Sequence, residues 1–206
     1  MKVGVDSELG VDLDGILGGT QIGFIRFHNE QYGTKLTLSD VKTHSFSTCI
    51  GTSHEEAIRR FHEFYETDYF KNLTPVQDAQ LSIEKLNKYF RMHVITNRPN
   101  SLREVTHEWL AKYFPHMFHS VHLTNKESNE GTVPKDKFTI CKEWGAKVLL
   151  EDSVENAVEC VTKAGEVGYP LRVVLLDYPW NQSKQLPDGV KRVHSWTEMV
   201  KEIVPR

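Results

Sequence analysis

Val11-Asp12-Leu13-Asp14-Gly15-Ile16-Leu17 closes a short apolar run with two carboxylates and a glycine, and its reading decides the fold. In an extended segment, residues i and i+2 point to the same side, so Asp12 and Asp14 face together. Gly15 opens the strand into a loop. Both acids then lean over the strand's C-terminal end, where open α/β sheets bind ligands. Two like charges this close repel unless they share a cation, and hard oxygen donors at this density suit Mg2+. Taken alone, the same tetrapeptide fits a strand end with solvated acids.

Working outward, short apolar runs alternate with helical patterns, as in a parallel sheet with crossover helices. The expected strands are Leu9–Leu13, Met92–Thr96, Val121–Thr124, Lys147–Leu150 and Leu171–Leu176, with a short Lys191–His194 besides. Ser101 with Glu104 reads as a capping box, and Thr74-Pro75 as a helix start with proline at its first position. Lys137–Trp144, Ser153–Lys163 and Thr197–Ile203 fill the remaining helical segments. Between Asp14 and Met92 lie 77 residues, far more than one crossover needs. The excess has helical character: Thr20–Tyr32, a start at Ser39-Asp40, and a capping box at Ser53 and Glu56. The expected fold is α/β, a Rossmann-like parallel sheet with helices on both faces and a small inserted helical cap. Residues 18–73 form the cap, and 1–17 with 74–206 the core.

Composition agrees with a globular chain. Of 206 residues, 39% are hydrophobic and 26% charged, which excludes a disordered or collagenous chain. The net charge of −3 leaves no basic excess for a phosphate backbone, so no duplex nucleic acid is expected as partner. No apolar stretch reaches the length of a membrane span, and the N-terminus lacks the apolar region of a secretory signal. Cys49, Cys141 and Cys160 are an odd number in a chain large enough to hold its own core. Reduced thiols and a cytoplasmic location are expected.

Two further strand ends carry chemistry. His93-Val94-Ile95-Thr96-Asn97-Arg98-Pro99 passes from aliphatic residues to a hydroxyl, an amide and a guanidinium. Such donors before a helix suit phosphate oxygens, although an ordinary strand-to-helix turn also looks like this. Val148-Leu149-Leu150-Glu151-Asp152-Ser153 again puts acids at a buried strand end, with Ser153 capping the next helix. Lys137 opens a helix, where a cation opposes the helix dipole, and that position suits a role among anions. Lys135 fits the spacing nearly as well.

Taken together, Asp-x-Asp-Gly, Thr, Lys and Glu-Asp-Ser, in that order and each beside an apolar strand or a helix start, resemble the four motifs of the haloacid dehalogenase (HAD) superfamily. Within it the chain looks most like the 5′-nucleotidase group of the deoxyribonucleotidase type. The shared features are residues 11–17, Ile-Thr-Asn-Arg-Pro (95–99), Lys137 before Cys141, Glu-Asp-Ser (151–153), Asp177-Tyr178-Pro179-Trp180-Asn181 and Arg192-Val193-His194-Ser195-Trp196. The resemblance implies a phosphomonoesterase with Asp12 as nucleophile and Asp14 as general acid and base, best served by a raised pKa. It also implies Thr96, Asn97 and Lys137 on the phosphate, and Mg2+ on Asp12, the Asp14 carbonyl and Asp152. Arg98 and Glu151 are left to the substrate or the outer metal shell, Glu151 standing where Asp is usual. The implied partner is a small phosphate monoester, nucleoside 5′-monophosphates first and phosphosugars second; a homodimer is left open. A 2-haloacid dehalogenase is disfavoured by Asp14, because carbon–halogen hydrolysis leaves no alkoxide to protonate. A non-catalytic binding protein has no use for an acid beside a nucleophile.

Other features have plain readings. Asp6 and Glu8 form a decoy acidic pair with no glycine-terminated strand leading into it. His116, His119 and His122 fall across a loop and strand, where their spacing sends successive side chains to opposite faces. Cys141 and Cys160 are core fillers. Phe61, Phe64, Tyr65 and Tyr69 are expected to pack the cap, Asp177–Asn181 to form a strand end and turn, and residues 126–131 an exposed loop.

Overall fold

Six parallel strands lie in the order β3-β2-β1-β4-β5-β6 in the computed structural model, which describes residues 7–43, 45–124, 135–182 and 185–204. They are β1 (Ser7–Val11), β2 (Phe90–Thr96), β3 (Ser120–Leu123), β4 (Val148–Glu151), β5 (Arg172–Leu176) and β6 (Val190–Val193). This is the doubly wound order, with its switch point between β1 and β4. Asp6 and residues 126–131 lie outside the described residues.

Side chains alternate between two cores with the strand period. Leu9, Val11, Val148, Leu150, Val174 and Leu176 face one side, against helices α5 (Ala79–Leu86), α6 (Arg103–Tyr113) and α9 (Trp196–Ile203). Leu149, Val173 and Leu175 face the other, where α7 (Lys137–Trp144) and α8 (Val154–Glu166) pack through Cys141, Ala157 and Cys160. At Gly10 a Cβ would stand 3.0–3.2 Å from Leu149 Cδ1, Ile95 Cδ1 and Cys141 Sγ. The missing side chain is what lets α7 settle against the centre of the sheet.

Residues between Gly18 and Leu73 are helical: α1 (Thr20–Tyr32), α2 (Phe46–Ile50), α3 (His54–Tyr65) and α4 (Asp68–Lys71), with a 3-10 turn at Leu38–Asp40. Ser53 caps α3 by accepting from Glu56 N–H, as its sequence implies. An aromatic cluster holds these helices, with Phe24 stacked on Phe61 at 4.1 Å and Phe64 edge-on to Phe24 at 5.6 Å. Such ring pairs add roughly 0.5–1.5 kcal/mol beyond area burial.

Several helix starts differ from the sequence reading. Thr74-Pro75 opens no helix. Gly19 N–H donates to the Thr74 carbonyl and Val76 N–H to the Leu17 carbonyl, so both connections to the helical insertion run side by side. The crossover helix therefore begins at Ala79, after Asp78 at φ 64°. Ser101 lies inside a 3-10 turn, and α6 starts without a side-chain cap. Asp40 ends a 3-10 turn capped by Thr37 instead of opening a helix. The observed β1 stops at Val11, because Leu13 already accepts the turn bonds from Leu17 and Gly18 N–H.

Candidate active site

Three adjacent strands, β2, β1 and β4, end at one cavity of about 320 Å³ lined by Asp12, Asp14, Thr96, Asn97, Arg98, Lys137 and Asp152. Residues 82 and more positions from Asp14, such as Thr96, meet it because β1 pairs with both β2 and β4. All of the residues singled out from the strand ends therefore converge.

Lys137 lies at the first position of α7 with its side chain fully buried, 2.7 Å from both Asp12 Oδ1 and Glu151 Oε2. Asp136 caps the helix by accepting from Thr139 N–H, which offsets the cost of a cation at that end. Lys135 instead pairs with Glu143 at the surface, so Lys137 is the lysine at the site. Burial disfavours its charge, but Asp12 and Glu151 more than compensate and hold the ammonium protonated. Glu151 Oε1 accepts from the Asp152 and Ser153 N–H groups at the start of α8. Against the penalty of burial, Lys137 and these bonds keep Glu151 below the usual carboxylate range.

Asp12 and Asp152 behave in the opposite way. Burial, then repulsion from Glu151, pushes both well above the usual range, with Lys137 opposing. Oxygens of Asp12, Glu151 and Asp152 lie within 4.8 Å of one another. Asp14 is gripped by Arg98, whose Nη2 donates to Oδ1 at 2.6 Å and Nε to Oδ2 at 3.0 Å, and by the Thr20 hydroxyl. Burial would raise Asp14, but Arg98 outweighs it and leaves the carboxyl below its ordinary value. The raised value that would best serve a general acid is therefore not what Asp14 has here, because a guanidinium from the second strand end stands against it.

The donor set fits a hard divalent cation. Asp12, Asp14, Glu151 and Asp152 are four carboxylates against two cations, Lys137 and Arg98, so with all four ionised the site would carry an excess of about two negative charges for a cation to neutralise. Oxygen ligands and that deficit are what Mg2+ sites offer.

Thr96 is fully buried; its Oγ1 accepts from Arg98 N–H and donates toward Asp14 Oδ2 at 3.4 Å. Asn97 accepts from Thr124 at 2.8 Å and reaches Asn156 at 3.3 Å. The guanidinium of Arg98 also donates to Thr106 and lies 4.7 Å over the Phe70 ring. Sequence reading missed Thr20 and Gln21, which open α1; Gln21 Nε2 reaches Asp152 Oδ2 at 3.4 Å. A helix start with no acidic residue in its first turn gave no signal. Phe61 and Tyr65 line the cavity while Phe64 is buried in the insertion's core, so the aromatic set divides between site and packing.

The decoys stand elsewhere. Glu8 accepts from buried His93 and pairs with Arg91. His119 and His122, expected on opposite faces, both pack around His93 and Trp144, since His119 precedes β3 on a turn that follows His116 at φ 60°.

Gly15 has φ 84°, and a Cβ there would meet Asp152 Oδ2 at 2.2 Å and Cγ at 2.6 Å. Gly15→Ala should displace Asp152 and weaken divalent-cation binding at this site by ~10- to 100-fold. Calorimetric titration checks this, and unchanged affinity would contradict it.

A family model described as "5' nucleotidase, deoxy (Pyrimidine), cytosolic type C protein" matches residues 6–206. The chain is 26% identical to a Halalkalibacterium halodurans protein named "Putative nucleotidase", over 96% of this chain and 93% of that one. It is 21% identical to a "5'(3')-deoxyribonucleotidase" of Bacillus subtilis, covering 95% and 98%. A haloacid dehalogenase-like family hydrolase from Streptococcus pneumoniae superposes with TM-score 0.66 at 12% identity, covering 96% and 98%. With the family model spanning nearly the whole length, and the motif residues meeting at one sheet edge, the chain belongs to the cytosolic type C 5′-nucleotidase family.

Proposed function

We propose that the protein hydrolyses nucleoside 5′-monophosphates, or closely similar small phosphate monoesters, through an aspartyl-phosphate on Asp12 with Mg2+ as cofactor. The observation that carries this reading is the buried, electron-rich floor around Asp12 beneath an aromatic roof of Phe46, Phe61 and Tyr65. The floor accepts a cation and a phosphoryl group, and the roof offers flat apolar surface to a base. Residues 18–73 act as a cap over a core made of 1–17 and 74–206.

In this reading, Asp12 attacks phosphorus and the ester P–O bond breaks. Asp14 gives its proton to the departing oxygen, then takes one from the water that attacks the aspartyl-phosphate, releasing phosphate and restoring Asp12. An arriving phosphate dianion beside Asp14 raises its pKa and offsets the pull of Arg98, which favours the protonated form when the leaving group needs it. Thr96, Asn97 and Lys137 hold the phosphoryl oxygens. Asp12, the Asp14 carbonyl and Asp152 would hold Mg2+, which would supply the positive charge that lets a carboxylate approach a phosphate. A cytoplasmic compartment suits three free thiols, of which Cys141 and Cys160 are buried. No described helix is long and apolar enough to cross a membrane.

A panel of nucleotides and sugar phosphates, assayed with Mg2+ or EDTA, tests the reading. Faster turnover of nucleoside 5′-monophosphates, abolished by EDTA, is expected. Indifference to the chelator, or a preference for sugar phosphates, would replace it.

Mg2+ should also stabilise the protein. At a hundred times Kd, binding adds ~2.7 kcal/mol, or roughly 5–10 °C in Tm for a chain of this size. Asp12 and Asp152 have raised folded pKa values. Their contribution in the metal-free protein is therefore fully present below the ordinary carboxylate value and is lost as pH rises through the folded values. Asp14, held low, acts in the opposite sense and only below its ordinary value. The shift caused by Mg2+ should consequently be larger at pH 8 than at pH 5. Thermal melts at both values decide it, and a shift that shrinks with pH would contradict the electrostatics.

A further inference from the structure

Asp177-Tyr178-Pro179-Trp180-Asn181 follows β5, a strand that ends in none of the four motifs, yet its side chains reach two of them. Tyr178 Oη donates to the Gly15 carbonyl at 2.8 Å. The Trp180 ring stacks on Tyr178 at 4.1 Å and 9°, and its Nε1 donates to Asp152 Oδ2 at 3.1 Å. Asn181, buried, donates to the Asp152 carbonyl at 2.8 Å and to the Leu176 carbonyl at 2.7 Å. Asn181 is itself held, since its Oδ1 accepts from Tyr178 N–H and from Arg192. Arg192 in turn pairs with Asp177 at 2.9 Å.

We propose that the Tyr178–Asn181 turn is the positioning element of the cation site, clamping Asp152 and the Asp12–Gly15 turn to one another. The inference rests on the cation-dependent reading above. Its physical ground is that Asp12 and Asp152 are buried close together on separate loops, and once ionised around a cation site they repel each other. Trp180 Nε1 fixes the rotation of the Asp152 carboxylate, while Asn181 fixes its backbone. Tyr178 ties the opposing loop to the same pair of stacked rings. Gly15 leaves no slack, since even a Cβ would collide with Asp152. A cation then meets ligands already in place and need not order two loops, which favours tighter binding. Pro179 sits at the first position of the 3-10 turn and pre-sets its backbone.

Trp180→Phe keeps the stacked ring and removes the N–H; Tyr178→Phe keeps the ring and removes the bond to Gly15. Mg2+ is titrated into each protein by calorimetry without substrate, alongside thermal melts in EDTA. Each variant should bind Mg2+ about tenfold more weakly than the parent, the usual scale for partners of metal ligands. The melts in EDTA should show both variants folded, with a modest loss for Trp180→Phe, whose smaller ring leaves part of a buried site unfilled. Equal Mg2+ affinity in parent and variants overturns the clamp and leaves the phosphatase reading standing. A parent that binds no Mg2+ overturns the cation reading and the clamp with it. Should Trp180→Phe fail to fold, Tyr178→Phe carries the same comparison from the other loop.

Discussion

Asp12→Asn should abolish turnover, lowering phosphate release by at least ~10³-fold while leaving the protein folded. The amide matches the carboxylate in size, and its oxygen can still accept from Lys137 Nζ, which lies 2.7 Å from Asp12 Oδ1. It cannot attack phosphorus to give an acyl phosphate. Destabilisation is not the cause to expect. The Asp12 carboxyl is pushed upward by burial and by Glu151, so removing its charge relieves repulsion in the metal-free site. The variant should therefore melt in EDTA at or above the temperature of the parent. Phosphate release at saturating Mg2+, read beside the melts, separates the two effects. More than a tenth of the parent's activity in the variant would remove Asp12 as nucleophile. A large drop in Tm would mean that the charge supports the fold, against the electrostatic account.

The candidate site was legible in the sequence because its residues sit at strand ends. A buried parallel strand is a short aliphatic run, and polar residues that interrupt it at its C-terminal end have few structural uses. Asp12, Thr96 and Asp152 stand out in this way, and the parallel sheet brings them together without help from any loop. Capped helices were legible where the cap is the whole local story, as at Ser53 and Ser153. The reading failed where a distant segment competes for the same backbone. Thr74 and Val76 bond to Gly19 and Leu17, across the width of the insertion, and no local pattern at Thr74-Pro75 reports that. The low pKa of Asp14 has the same origin. Arg98 is 84 positions away in sequence, and only the pairing of β1 with β2 makes it a neighbour. Trp180 and Tyr178 were visible as a motif, but their work on Asp152 and Gly15 depends on β5 lying beside β4.

Lys137→Met should do more damage than any surface change, to stability as well as to turnover. Asp12 and Glu151 share its ammonium, and Glu151 is fully buried. Removing one partner of a buried ion pair leaves an uncompensated charge, at a cost of roughly 3–5 kcal/mol. The stranded carboxylates can escape part of that cost by taking up protons. The loss should therefore be smaller at pH 5 than at pH 8, because the variant's folded state binds more protons than its unfolded chain over that range. Turnover should fall at least ~10²-fold, since in the proposed mechanism Lys137 supplies the charge that faces the phosphoryl group. Lys135→Met is the matched control, with the same chemistry two residues earlier. Its partner Glu143 is half-exposed, and such surface pairs contribute ~1 kcal/mol or less. Urea unfolding of both variants at the two pH values, with phosphatase assays in parallel, tests the assignment. Equal losses for the two lysines would mean that neither burial nor the Asp12 contact sets the role of Lys137. A Lys137→Met loss independent of pH would point to packing of its aliphatic stem instead of its charge.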